Sequence, residues 1–162
     1  MIINTYCENS YDKKFVFSDD EIIKISNNLL SYVLTNEKTM FSTDNDYSLD
    51  LFLCDNDFIH NINNQYRKKD CPTDVITFAL YADSDDKIII DNNISLGQII
   101  ISCDKVFEQA AENNVTPEYE INNLLAHGIL HLLGYDHQND ETLNDMLELQ
   151  RKMIEEIDNV KI

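Results

Sequence analysis

Three of the chain's four histidines fall within the eleven residues HGILHLLGYDH: His127, His131 and His137, with Gly134 between the last two. Histidines four apart on a helix stand one above the other on the same face, so His127 and His131 can reach one ion. A glycine just past the helix lets the chain turn through a left-handed conformation and bring His137 back toward them. Three imidazole nitrogens around a tetrahedral ion leave the fourth position to water, which distinguishes a catalytic zinc from a closed structural one. The expected cofactor is one Zn2+ per chain, although three imidazoles with an open position also accept nickel, copper or cobalt. A lone histidine on a helix is more often a hydrogen-bonded side chain than a ligand. His60, alone among Asn61, Asn63 and Asn64, reads as a surface residue.

The spacing matches the long zincin pattern H-E-x-x-H-x-x-G-x-x-H at every position but one, where Gly128 replaces the glutamate. That glutamate takes a proton from water attacking a peptide carbonyl, and losing it costs roughly a hundredfold or more. A phosphodiester is already anionic, so its cleavage demands that charge on the phosphoryl oxygens be neutralised, which a metal and an arginine can do. Phosphoryl chemistry is favoured by what the motif omits. A metallopeptidase-like hydrolase is the alternative enzyme, and a non-catalytic protein whose ion only stabilises the fold is the third reading.

The elements that must position these residues follow from periodicity. Ile2 to Tyr6 reads as a first strand. Ser18 and Glu21 form a capping-box pair ahead of the apolar stripe Ile22, Ile25, Leu29, Leu30 and Val33. Leu49, Leu51 and Leu53 alternate as in a strand, and Asp55 caps a helix through Phe58, Ile59 and Ile62 to about Tyr66. Cys71-Pro72 breaks that helix, Asp74 to Leu80 is a strand, and YADSDDKIIIDNN is read as an edge hairpin. Leu96 to Ser102 is the most buried-looking strand. Three helices follow: Asp104 to Asn113; one capped by Thr116 with Pro117 at its first position, carrying His127 and His131; and one from about Asp140 that buries Leu143, Met146, Leu147, Leu149 and Ile154. The fold expected is a single α+β domain over residues 1–162, with a small mixed sheet packed against helices around a zincin-like site.

Composition bounds the setting. The chain has 162 residues, enough for one core without disulfides. Its four cysteines, Cys7, Cys54, Cys71 and Cys103, form no C-x-x-C pair and read as reduced thiols. No signal pattern or bilayer-length apolar run occurs, so a soluble cytoplasmic protein is expected. The net charge of −18 repels polyanions at long range, yet a local patch survives where distant charge is screened over about 10 Å. The dense basic run is Arg67, Lys68 and Lys69.

HGILHLLGYDH resembles the signature of the YbeY-type endoribonucleases, a family of rRNA maturation factors. NQYRKKDCPTDVITF is similar to that family's second characteristic segment, here with Arg67, Lys69, Asp70, Pro72, Thr73 and Asp74. The likeness extends through LGQIIIS to LELQRKMIEEI and covers most of the chain beyond about residue 45. It implies a metal-dependent endoribonuclease acting in small-subunit rRNA 3′-end processing and ribosome quality control. His127, His131 and His137 would be its zinc ligands and Arg67 the arginine facing the metal across the cleft. The flat, permanently charged guanidinium of Arg67 suits a phosphate clamp better than either neighbouring lysine. Lys68 and Lys69 read as generic phosphate contacts or exposed charge, and Asp136 as a ligand-orienting carboxylate or an exposed turn residue. Gln98 departs from the aspartate usual in the family's L-G-D-I strand. The resemblance implies an rRNA precursor as substrate, and the acidic balance suggests that the small ribosomal subunit or an associated protein delivers it. A non-catalytic ribosome-assembly protein whose ion only stabilises the fold is the reading that the poor electrostatics for free RNA suggest instead.

Overall fold

The computed structural model describes residues 1–81 and 92–160; the edge hairpin expected in YADSDDKIIIDNN falls mainly on 82–91, outside the described residues. In chain order the elements are β1 (Ile3–Asn9), α1 (Asp19–Asn36), β2 (Asp46–Cys54), α2 (Asn56–Arg67), β3 (Val75–Ala79), β4 (Asn93–Ser102), α3 (Cys103–Asn113), α4 (Pro117–Leu132) and α5 (Asp140–Val160). Among the described residues the sheet has the order β1-β2-β4-β3. β1, β2 and β4 run parallel, and β3 closes one edge antiparallel to β4. The α+β class and the small mixed sheet are those the sequence implied.

Local chemistry sets the helix starts. Ser18 accepts from Glu21 N at 3.2 Å while the Glu21 carboxylate accepts from Ser18 N at 2.8 Å, completing the capping box of α1. Asp55 caps α2 by accepting from Phe58 N, and Thr116 caps α4 by accepting from Tyr119 N. Strand alternation then divides the sheet between two cores. Leu49, Leu51, Leu53, Ile99 and Ile101 join α1, α4 and α5 in the larger one, whereas Ile100, Ile76 and Cys54 pack with Ile59 of α2 in the smaller.

Some boundaries and burials differ from expectation. β1 begins at Ile3 and runs on to Asn9, because its backbone continues to pair with β2 as far as Leu53. α3 starts at Cys103, one residue early, since Ser102 caps it by accepting from Lys105 N. Leu147 is 47% exposed, not buried: the stripe of α5 that meets the core runs through Met146, Leu149, Met153, Ile154 and Ile157. Leu143 is only partly buried.

Gly97 fixes how closely β3 approaches β4. Its φ is +133°, and a Cβ there would lie 2.0 Å from the Phe78 carbonyl oxygen, so only glycine permits this edge strand to pair.

Candidate metal centre

α4 ends where the sequence placed its turn. Gly134 N donates to His131 O at 3.1 Å and Tyr135 N to Leu130 O at 3.0 Å, a Schellman arrangement with Gly134 at φ +91°. The chain therefore folds back, and Asp136 secures the bend by accepting from His137 N at 2.7 Å and from Gln138 Nε2 at 2.9 Å. These two bonds hold the Asp136 carboxyl below its ordinary range, the side-chain one foremost. Asp136 thus shapes the turn that carries His137; its described hydrogen bonds go to no imidazole.

His127, His131 and His137 converge, each offering a ring nitrogen within 4.8 Å of the others. The Nε2 atoms of His127 and His131 lie 2.9 Å apart. Nitrogens about 2.0–2.1 Å from a tetrahedral ion stand roughly 3.4 Å from one another, so the set can close on a divalent cation with small side-chain movements. Burial, then the adjoining His127 and His137, push His131 down to about 4. It therefore presents the neutral imidazole that a metal requires.

Gln150 of α5 was missed by sequence reasoning. His127 Nδ1 meets its Oε1 at 2.8 Å, and its Nε2 donates to Asn123 Oδ1 at 3.1 Å. An amide oxygen can only accept, so Nδ1 carries the hydrogen and the lone pair of Nε2 faces the other imidazoles. The available signal was a glutamine on the buried stripe of α5, where Gln150 is 2% exposed.

Arg67 is the last residue of α2, which ends at Lys68 in a left-handed cap whose N–H donates to Asn63 O. The Asn63 amide also donates to Cys71 O at 2.9 Å, and His60 Nε2 lies 2.7 Å from Asp70 Oδ1, so the loop after Arg67 is tied back to α2. His60, expected at the surface, is partly buried and partnered. Arg67 lines one cleft of about 440 Å³ together with Thr73, Asp74, Thr77 and the three histidines. Among the described residues no hydrogen bond or ion pair engages its guanidinium. Asp74 is fixed in the cleft wall by Val75 N at 2.7 Å and Gln109 Nε2 at 3.2 Å. Lys68 and Lys69 are exposed and follow Arg67 in the chain without lining the cleft, and Gln98 lies opposite Phe78 in the sheet, off the cleft wall.

Gly128 faces the sheet. A Cβ there would stand 3.0–3.3 Å from side-chain atoms of the fully buried Ile99. The position that carries the glutamate of a metallopeptidase is closed here by packing, which leaves the peptidase alternative without its base.

Comparison with known proteins identifies what the chain is similar to. The family model described as Endoribonuclease YbeY matches residues 7–158. A Bacillus subtilis protein named endoribonuclease YbeY is 38% identical over 139 residues, 84% of this chain and 86% of the relative. A relative of the same name from Fusobacterium nucleatum is 43% identical over 127 residues, covering 78% and 76%. The solution structure of TM1509 from Thermotoga maritima superposes with a TM-score of 0.59 at 28% identity, covering 96% of this chain and 89% of that one.

Proposed function

The chain belongs to the endoribonuclease YbeY family, and from that premise we propose how its cleft serves RNA cleavage. It is a metal-dependent endoribonuclease of rRNA maturation. Our finer reading is one domain over residues 1–162 in which His127, His131 and His137 hold a single Zn2+, with small-subunit rRNA 3′ ends as substrate. What carries this reading is one cleft that gathers three converging imidazole nitrogens and a guanidinium without a described partner.

A divalent cation held there supplies charge neutralisation for the phosphate and acidifies water. The chain's own groups do the rest. Gln150 orients His127, the turn at Gly134 presents His137, and burial keeps His131 neutral. Arg67 receives two oxygens of the scissile phosphate in its fork, holding the phosphodiester against the site as charge builds on those oxygens. Lys68 and Lys69 add flanking phosphate contacts.

No described helix is long and apolar enough to cross a membrane. We place the protein in the cytoplasm, where the small ribosomal subunit or an associated protein brings the precursor to a chain whose net charge of −18 opposes free RNA.

The test is RNA cleavage with metal analysis on purified wild type, His131→Ala and Arg67→Ala. His131→Ala loses metal and cleavage together, whereas Arg67→Ala keeps the metal and loses cleavage. Normal cleavage by Arg67→Ala would remove the clamp from the reading.

A further inference from the structure

Beside the cleft lies an aromatic pair that metal binding does not explain. Tyr66 is 60% exposed and Phe78 36% exposed. Their rings meet edge to face, with centroids 5.4 Å apart and planes at 74°. Tyr66 immediately precedes Arg67 on the last turn of α2. Phe78 lies on β3 one residue past Thr77, which lines the cleft with the three histidines; strand alternation turns the Phe78 side chain to the other face of the sheet, the one Ile76 shares with α2. Phe78 and His131 also share a second, adjoining cavity of about 830 Å³ that continues past Leu80 and Tyr135.

From this juxtaposition we propose that Tyr66 and Phe78 form a stacking subsite for one nucleobase of single-stranded RNA, adjacent to the phosphate held by Arg67. The inference rests on the endoribonuclease reading and adds the recognition element that reading lacks. In an edge-to-face pair, the ring that supplies its edge does not have its faces covered by its partner, and a planar base can stack on whatever part of those faces is exposed, more on Tyr66 than on Phe78. The cations Arg67, Lys68 and Lys69 follow Tyr66 directly in the chain, so a π surface and phosphate-binding charge sit side by side at the end of α2. Tyr66 and Arg67 sit on α2 and the loop that follows is tied back to it by Asn63 and by the His60–Asp70 contact, which limits the ordering cost on binding. Bases within a duplex are already stacked on each other, so an isolated platform of this kind selects unpaired nucleotides. Stacking is tolerant of base identity because every base has a π face. The subsite thus sets strandedness and register more than sequence.

The experiment uses metal-loaded protein and a short single-stranded oligoribonucleotide with one 2-aminopurine, plus a twin made abasic at that position. Wild type quenches the 2-aminopurine on binding and binds the abasic twin about five- to a hundredfold more weakly. Tyr66→Ala and Phe78→Ala lower affinity for the intact strand by a similar factor, lose the quench and no longer distinguish the twin. Tyr66→Phe retains both properties and the wild-type melting temperature; the two alanine variants melt somewhat earlier for want of the ring contact but are folded at the assay temperature, and metal content stays at the wild-type value in all three. Alanine variants that bind and quench as wild type does would overturn the subsite. So would variants that keep oligonucleotide binding but lose only binding to purified small ribosomal subunits, which would make the pair a protein-docking face. Wild type that binds and quenches the strand without ever cutting it supports the subsite and places the failure in the hydrolase reading.

Discussion

Replacing Gln150 by leucine removes the acceptor that His127 Nδ1 meets at 2.8 Å while leaving a side chain of similar size in the buried stripe of α5. The imidazole can then rotate or change tautomer, so its Nε2 lone pair faces the site only part of the time. Losing such an outer partner of a ligand typically costs 10- to 100-fold in metal affinity, which is about 1.4–2.7 kcal/mol. Asn123 Oδ1 also loses its donor, but Asn123 is only partly buried and water can replace it. Most of the effect should therefore appear in metal binding and little in the fold. Competition against a chromophoric chelator measures the affinity, and imidazole nitrogen–proton NMR spectra report which ring nitrogen of His127 carries hydrogen. Gln150→Glu serves as the companion: it keeps an acceptor and adds charge, so the metal-bound form holds its ion at least as well while the metal-free form is less stable. A Gln150→Leu protein that is folded and binds zinc within twofold of wild type refutes the orienting role.

The same geometry sets further outcomes. Gly128→Ala gains about 1 kcal/mol of helix propensity but meets Ile99 at 3.0–3.3 Å, an overpacking worth about 1–3 kcal/mol, so it melts earlier; Gly128→Glu melts earlier still and shows no casein hydrolysis. Burial raises Cys54 and Cys103 to about 12, so in the native protein iodoacetamide at pH 8 labels the exposed Cys71 and spares those two, as peptide mass spectrometry can check. Glu120 is 4% exposed, and burial with the nearby Asp74 charge raises its pKa. Its protonated form favours folding below the unfolded value of 4.5, and that contribution fades as pH rises through the raised folded value. Glu120→Gln should then stabilise the protein in thermal melts at pH 7–8 and give no gain at pH 4. With Arg67, Lys68 and Lys69 as the cations at the cleft, affinity for single-stranded RNA should fall with salt at a log–log slope of about −2, and a slope steeper than about −4 would mean a basic surface elsewhere.

How much of this was readable from the chain depended on how local each cause is. The convergence of the three histidines was, because the i, i+4 pair and the Gly134 turn are set by backbone geometry within eleven residues. Helix starts at Ser18, Asp55 and Thr116 were, because a cap reaches only three residues. Gln150 was not, since its contact with His127 spans 23 residues and depends on α5 packing against α4. Leu147 misled for a related reason: an apolar residue beside Met146 counts toward the stripe only when the helix rotation is known, and that rotation is fixed by tertiary contacts. The parallel pairing of β1 with β2 was equally silent, because alternation marks a strand without naming its neighbour.

The apparent conflict between a polyanionic substrate and a chain of net charge −18 is one of range. At physiological salt a field decays over about 8 Å, so distant carboxylates weaken the approach of RNA but scarcely alter a phosphate held as proposed at Arg67, where the acidic groups that count are Asp74 and Asp136 of the cleft wall. What counts at contact is the end of α2, where three consecutive cations follow Tyr66 and the next loop is tied down by Asn63. Long-range repulsion combined with the short-range recognition proposed for the cleft disfavours random RNA, which offers only its charge, relative to a strand that another surface has already brought there. The acidic exterior then adds discrimination to the site, and moving that discrimination into the cleft itself would require more cations there, which would also retain the cleaved product.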